Sequence, residues 1–448
     1  MSDIIKIKKG LDIRLKGAAE QVINDTEKPG FYAVKPTDFH GLVPRSEVQE
    51  GDAVQAGTVL FIDKNNPEIR FCSPVSGKVK AINRGDRRAL LEIVVEADNS
   101  VSYKDFVKED PDQLSRDEIV KKLLESGIWT FIRQRPFNRL ANPMSKPKSI
   151  FISGFDSSPL AADVDFILQG TEKEFLTGIK ALSKLTDGKI HIGLREKTGS
   201  FIRDIPGIEI HFFNGPHPSG NVGIQINKID PIGKGDIIWT VKPQEVVFIG
   251  RLFDKGIYDV SKVVALAGSQ VNRPQYYRVI GGTAVESILS GKIKEGNSRI
   301  ISGNVLTGTK IEMQGFLGHY DNLITVIPEG DSPEFLGWAA PGLDKFSASR
   351  TFLSSFFPRK IYDLNTNTHG CERAYVVSGQ YEKVLPMDIY PVYLVKAILA
   401  EDIELMEKLG IYEVAEEDFA LCEYVCTSKI QVQSIISKGI DLIIKELG

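Results

Sequence analysis

Four cysteines in 448 residues are too few for a disulfide scaffold, and with no extracellular context the chain is expected in a reducing compartment. A basic excess is also missing: 55 Lys and Arg against 59 Asp and Glu leave a net charge of −4. Nucleic acid is therefore not the default partner. No window approaches the ~20 apolar residues of a spanning helix. The lysines of the opening MSDIIKIKKGLDI have no apolar run behind them, so no signal peptide is read. The chain is expected to be soluble or peripheral, in a bacterial-type cytoplasm or on the membrane face it borders. A dinucleotide fingerprint is absent too. After the run SIFISGF (149–155), Gly154 stands alone before Phe155, Asp156, Ser157, Ser158 and Pro159, where a pyrophosphate needs several glycines to approach the backbone. Gly281-Gly282 opens a turn without a phosphate-cradling pattern around it. No HxxxH pair or carboxylate cluster has metal-ligand spacing.

What is present is ordinary globular composition, 42% hydrophobic and 25% charged, with 40 Gly and 22 Pro that demand many turns. At roughly 150 residues per domain the length allows about three domains, or four small ones. Residues 1–28 read as an edge strand (Ile4, Ile5, Ile7) and a polar approach. From Gly30 to Ala97 short β runs alternate with glycine turns. Residues 101–125 are acidic and helical. SIFISGF, a helical segment near 171–186 and IHIGL (190–194) give a strand–helix–strand rhythm, hence a parallel α/β layer. Residues 256–330 return to short β runs with one helix near 283–291. Leu343, Phe346, Arg350, Leu353 and Phe357 stand at helical spacing, and beyond residue 390 the pattern is helical to the end.

Five segments bear on chemistry. VQEGDAVQAGTVLFI (48–62) with SPVSGKV (73–79) resembles a biotinyl/lipoyl barrel-sandwich hybrid, with Gly51, Gly57 and Gly77 at turns. A carrier would present a lysine between the halves. Here the stretch is DKNNPEIR, Lys64 comes too early, and the tip is Asn65, Asn66 and Pro67, which favours a structural module. Cys422 and Cys426 are spaced i,i+4, but a ferredoxin-like run counted back from Cys426 meets Cys422, Phe419 and Glu416. Two packed cysteines are the better account. GPHPSGNVG (215–223) carries His217 with no partner nearby in sequence, and reads as a rigid surface loop. Between Glu125 and Asp156 there is no acidic residue, while Arg133, Arg135 and Arg139 interleave with Trp129, Phe131 and Phe137. A solvated inter-domain loop is favoured there over a planar or anionic ligand site. The apolar face of 343–357 is expected to be internal, with docking on a membrane partner as the alternative.

The segments GPHPSGNVG, PQYYRVIGG, GWAAPGLDKFSASRTFLSSF, MDIYPVYLVKAIL and EEDFALCEYVC resemble the A subunit of the sodium-translocating NADH:quinone reductase. That resemblance implies a relation in fold to the flavin- and NADH-binding subunit of respiratory complex I and to the C subunit of the Rnf complex. It implies an α/β multidomain chain: a barrel-sandwich module over 1–100, a Rossmann-like α/β domain without its flavin motif over 101–255, a ubiquitin-like β-grasp over 256–335, and a helical domain over 336–448 like an iron–sulfur domain without its ligands. The counterpart of the relatives' FMN-cradling glycine loop is Ile128 to Asn138, which has no glycine, and SGFDSSP keeps only Asp156 of an acidic segment.

The resemblance thus implies a cofactor-free peripheral subunit on the cytoplasmic face of the bacterial inner membrane. FMN, FAD, riboflavin and iron–sulfur centres would belong to partner subunits, and the membrane-embedded B subunit would be the neighbour. The role would be assembly and quinone binding, with Trp129, Phe131, Arg133, Phe155 and His217 as candidate quinone residues in the cavity that a flavin fills in relatives. A ring such as Phe131 would stack on the head group, and Arg133 or His217 would bond a carbonyl. Two other classes stay open: a free-standing flavoprotein oxidoreductase, and a lipoyl-like carrier or scaffold that would show a modified Lys64.

Overall fold

The computed structural model describes residues 4–26, 29–331, 334–337 and 339–447. Trp338, part of one motif quoted above, lies outside them. Two short strands come first, β1 (Ile4–Lys6) and β2 (Glu20–Asp25). The β module follows, with β3 (Phe31–Val34), β4 (Pro44–Ser46), β5 (Ala53–Val54), β6 (Val59–Asp63), β7 (Arg70–Cys72), β8 (Gly77–Arg84) and β9 (Leu90–Ala97). They form two sheets, ordered β3-β9-β8-β5 and β4-β6-β7. In β8 the start GKVK alternates buried and exposed, the period-two signature of a strand with one face on a core. The core holds Leu60, Phe71, Ile93 and Val95, with Phe61 stacked on Phe71 at 4.5 Å.

Helix α1 (Arg116–Ser126) opens on a capping box: the Ser115 N–H donates to Glu118 at 2.8 Å and the Ser115 hydroxyl accepts from the Glu118 N–H at 3.4 Å. Gly127, at φ 81°, closes it. The basic stretch after it is not a solvated loop. Ile128, Trp129, Thr130 and Phe131 form a buried 3-10 turn, which leads into β10 (Arg133–Arg135) and β11 (Arg139–Leu140). Then come β12 (Ser149–Ser153), α2 (Val164–Ile167), α3 (Glu172–Ser183), β13 (Ile190–Arg195), β14 (Glu209–Asn214), α4 (Val222–Ile229), β15 (Ile238–Thr240) and α5 (Pro243–Lys255). The sheet order is β1-β14-β13-β12-β15-β10-β11, parallel from β1 to β15, with the β10–β11 hairpin running antiparallel along one side. Helices α3 and α5 cross at glycines: a Cβ on Gly178 would lie 2.1 Å from the Val246 carbonyl oxygen, and one on Gly250 1.7 Å from that of Glu174.

The third sheet gathers β16 (Ser261–Ala267), β17 (Gln275–Ile280), β18 (Ser298–Ser302), β19 (Thr309–Ile311) and β20 (Leu323–Pro328) around the short α6 (Glu286–Leu289). Its order is β19-β18-β20-β16-β17-β2. The first strands therefore leave the β module. β1 lies parallel to β14 (Ile4 opposite Phe212), and β2 lies parallel to β17. Between them Gly17 meets Gly268 backbone to backbone, the Gly268 N–H donating to the Gly17 carbonyl at 2.8 Å. A Cβ on Gly17 would sit 2.3 Å from the Gly268 carbonyl. Leu15 bridges to Tyr362. One strap of chain thus ties the α/β sheet, the third sheet and the C-terminal region together.

The helix expected over 343–357 does not form; only Leu353–Phe356 makes a 3-10 turn. Its apolar residues are not internal either, since Leu343, Leu353, Phe356 and Phe357 are exposed. Phe346 alone turns inward, onto Tyr362 and Tyr424. The C-terminal helices are α7 (Tyr381–Val384), α8 (Pro391–Leu399), α9 (Ile403–Lys408), α10 (Ala420–Tyr424) and α11 (Val432–Leu447). They enclose Val392, Leu394, Met406, Phe419, Ile436 and Ile440. Cys422 and Cys426 are buried in this core, and the Tyr381 hydroxyl donates to Cys426 Sγ at 3.0 Å. No helix among the described residues is long and apolar enough to cross a membrane.

Candidate functional site

In a parallel sheet flanked by helices, ligands gather beyond the carboxyl ends of the strands. Ser153, the last residue of β12, and Thr240, the last of β15, open into a cleft of about 170 Å³. Its walls come from three units. The α/β layer supplies Arg133, Phe155 and His217; the third sheet and its loops supply Lys262, His319 and Tyr320; the C-terminal region supplies Glu417.

Arg133 sits at the head of β10, which antiparallel pairing sets opposite Thr240. Its guanidinium lies over the Tyr320 ring at 4.9 Å and donates to Asn138 Oδ1 at 3.3 Å. Phe155, 8% exposed, follows β12, with the Arg195 guanidinium 5.5 Å from its ring centre. His217 is not on a surface loop: it is buried, 4% exposed. Its Nδ1 shares a hydrogen bond with Ser157 Oγ at 3.0 Å, and its backbone N–H donates to Asp12 Oδ1 at 2.9 Å. Burial lowers the imidazole pKa against the pull of Asp156, Asp12 and Glu417, so the ring favours its neutral form.

The other two sequence candidates stand behind the cleft wall. The Phe131 ring lies 4.2 Å from the ring of His319, nearly parallel to it, and so supports a lining residue without lining the cleft itself. Trp129 is a core residue. It packs edge-on against Trp239 at 5.3 Å and donates its indole N–H to the Ala141 carbonyl at 2.8 Å.

Several lining groups escaped the sequence reading. Lys262 is buried and donates to the carbonyls of Asp321 at 2.7 Å and His319 at 3.1 Å; burial lowers its pKa to about 8. Glu245 accepts from the Lys242 N–H at 2.7 Å, and burial raises its pKa. The hydroxyls of Thr240 and Ser158 are buried without a hydrogen-bond partner among the described residues. The only sequence signal was polarity inside apolar runs: Thr240 within IIWTV and Lys262 at the head of VVALAG. A guanidinium, two hydroxyls and an imidazole thus line the space beside an aromatic ring, with the carboxylates of Asp156, Glu245, Asp321 and Glu417 also in its walls. The donors and the ring together can hold a flat ligand that accepts hydrogen bonds.

Family models match three stretches, described as the NqrA N-terminal barrel-sandwich hybrid domain over 5–98, the NqrA second alpha/beta domain over 114–258 and the NQRA C-terminal domain over 263–313. The chain is 41% identical over 438 residues to the A subunit of the Na(+)-translocating NADH-quinone reductase of Yersinia pseudotuberculosis serotype O:1b (strain IP 31758), covering 97% of this chain and 98% of that one. It is 40% identical over 446 residues to the same subunit of Neisseria meningitidis serogroup C / serotype 2a (strain ATCC 700532 / DSM 15464 / FAM18), covering 99% and 100%. Among solved structures, an air-oxidized NAD+-reducing [NiFe]-hydrogenase chain aligns with TM-score 0.41 at 11% identity, covering 75% of this chain and 62% of that chain.

Proposed function

The chain belongs to the family of A subunits of the Na(+)-translocating NADH-quinone reductase, and on that premise we propose that it is the peripheral subunit of such a complex and offers a quinone site in the cleft described above. The observation that carries the quinone reading is the pair of buried, unpartnered hydroxyls of Thr240 and Ser158 beside Arg133, Phe155 and His217. A buried polar group without a partner costs about 1–3 kcal/mol. A quinone carbonyl, which accepts and never donates, relieves that cost, and its flat ring finds Phe155.

We further propose that the chain itself carries no flavin and no iron–sulfur cluster, these belonging to partner subunits. Where a phosphate cradle would need bare backbone, Ile128–Phe131 is filled with buried side chains, and Cys422 and Cys426 lie in an apolar core. The exposed Leu353, Phe356 and Phe357 make the 343–357 segment the surface offered to the membrane-embedded B subunit, at the cytoplasmic face of the inner membrane. Four units, 1–100, 101–255, 256–335 and 336–448, remain our division of the chain, with the strap of the first residues crossing between them.

A short-chain ubiquinone titrated into the full chain tests the reading. Arg133→Ala and His217→Ala should each weaken binding about tenfold, the loss of one good hydrogen bond. Leu405→Ala, exposed on α9 and outside the cleft, should leave it unchanged. Equal affinity in all four proteins would refute the site. In parallel, anaerobic incubation with FMN, iron and sulfide followed by desalting should leave a featureless visible spectrum. Retained flavin or cluster absorbance would overturn the cofactor-free reading.

A further inference from the structure

On the α4 side of the parallel sheet, register sets His191 of β13 opposite Glu209 of β14, and Gly193 opposite His211. Residues two apart on a strand share a face, so His191, Glu209 and His211 converge although 18 residues of sequence separate the first two. His191 Nδ1 lies 3.0 Å from His211 Nε2 and 3.6 Å from Glu209 Oε2. One donor atom from each residue falls within 4.8 Å of the others. The Phe151 ring packs against the His191 imidazole at 4.7 Å and fixes its plane. Glu209 reaches solvent, and its second oxygen lies 3.5 Å from Lys189 Nζ.

We propose that His191, Glu209 and His211 form a binding site for a divalent transition-metal cation of the zinc type. Two imidazoles and a carboxylate are the donor set that zinc takes when it keeps a fourth position open. Calcium and magnesium, which demand oxygen ligands, fit it poorly. A tetrahedral ion at about 2.0–2.1 Å from each nitrogen needs the two nitrogens roughly 3.4 Å apart, so the ring pair has only a few tenths of an ångström to open. Without metal, one ring donates its N–H to the facing nitrogen of the other; when the cation takes both nitrogens, that proton moves to the far nitrogen of the same ring, and both imidazoles bind neutral. The half-exposed Glu209 leaves the entry path and a water-filled fourth position. Bound metal would cross-link β13 to β14, the strand that also receives β1. This site uses none of the groups of the quinone reading and stands or falls without it.

The test is Zn2+ uptake by the full chain in competition with a chromogenic chelator, in a Cys371→Ser background because Cys371 is the exposed thiol. One equivalent should bind and raise the melting temperature by a few degrees, because it binds the folded form alone. Glu209→Gln should weaken that uptake about tenfold or more, and His211→Ala and His191→Gln should abolish it. Co2+ in the same site should give the strong visible absorption of a tetrahedral complex, lost in His211→Ala. Glu209 is half-exposed, so its variant folds and remains decisive if a histidine variant does not. Identical uptake by the parent and Glu209→Gln, or no uptake by the parent, overturns the proposal.

Discussion

Arg135 shows what a single buried charge does in this chain. It is 1% exposed and donates to Glu417 at 2.6 Å, with Asp418 3.7 Å away, so β10 is held to the C-terminal region by one guanidinium. Removing one partner of a buried pair strands the other charges. Arg135→Met should cost about 3 kcal/mol, seen as a lower urea midpoint, while an exposed control such as Lys197→Met should stay within about 0.5 kcal/mol. Burial raises the Asp418 pKa to about 7, against the pull of Arg135 and helped by Glu417. Unfolded, the same group titrates near 4. Between those values the native state holds a proton that the unfolded chain has released, so stability falls as pH rises through the window. Asp418→Asn should flatten the fall in urea midpoint between pH 5 and pH 8; an unchanged slope would show that other groups set it. Sequence drew attention to Arg133 and His217, but not to what they meet. The partners of His217, Ser157 and Asp12, stand 60 and 205 residues away, and spacing along a chain carries no trace of such pairs.

At the scale of elements the parallel layer was legible, because strands buried on both faces are unbroken apolar runs bounded by turns. SIFIS and IHIGL became β12 and β13, and the segment near 171–186 became α3. The 343–357 segment was misread for a related reason. Apolar residues at helical spacing report a stripe, but a helix is stabilised only if something covers that stripe, and among the described residues Leu343, Leu353 and Phe357 of this one stay exposed. The crossing of α3 and α5 was invisible as well, since a glycine in a helix reads as a weakness until its neighbour is known. Gly178→Ala and Gly250→Ala each push a methyl into a facing carbonyl. Each should cost about 1–3 kcal/mol by overpacking, measured by chemical denaturation, whereas Leu176→Ala on the exposed face of α3 should be nearly neutral. A neutral Gly250→Ala would mean the helices stand further apart than described.

For the molecule as a whole, the strap of residues 4–25 does more than its edge-strand pattern announced. It adds β1 to the α/β sheet, β2 to the third sheet and a bridge to Tyr362, and its Asp12 holds the backbone of His217 at the cleft. Deleting residues 1–26 should therefore lower the melting temperature, speed proteolysis between the sheets and weaken quinone binding together. If binding persists at full strength in the shortened chain, Asp12 has no part in shaping the cleft. The strap also sets a schedule for biosynthesis. Its residues leave the ribosome long before their partners: β2 cannot pair until β17, some 250 residues later, has followed (275 − 25 = 250). At about 5–20 residues per second that wait is roughly 12–50 s. For that interval β2 is a strand without a sheet, held in waiting for neighbours that have yet to be made.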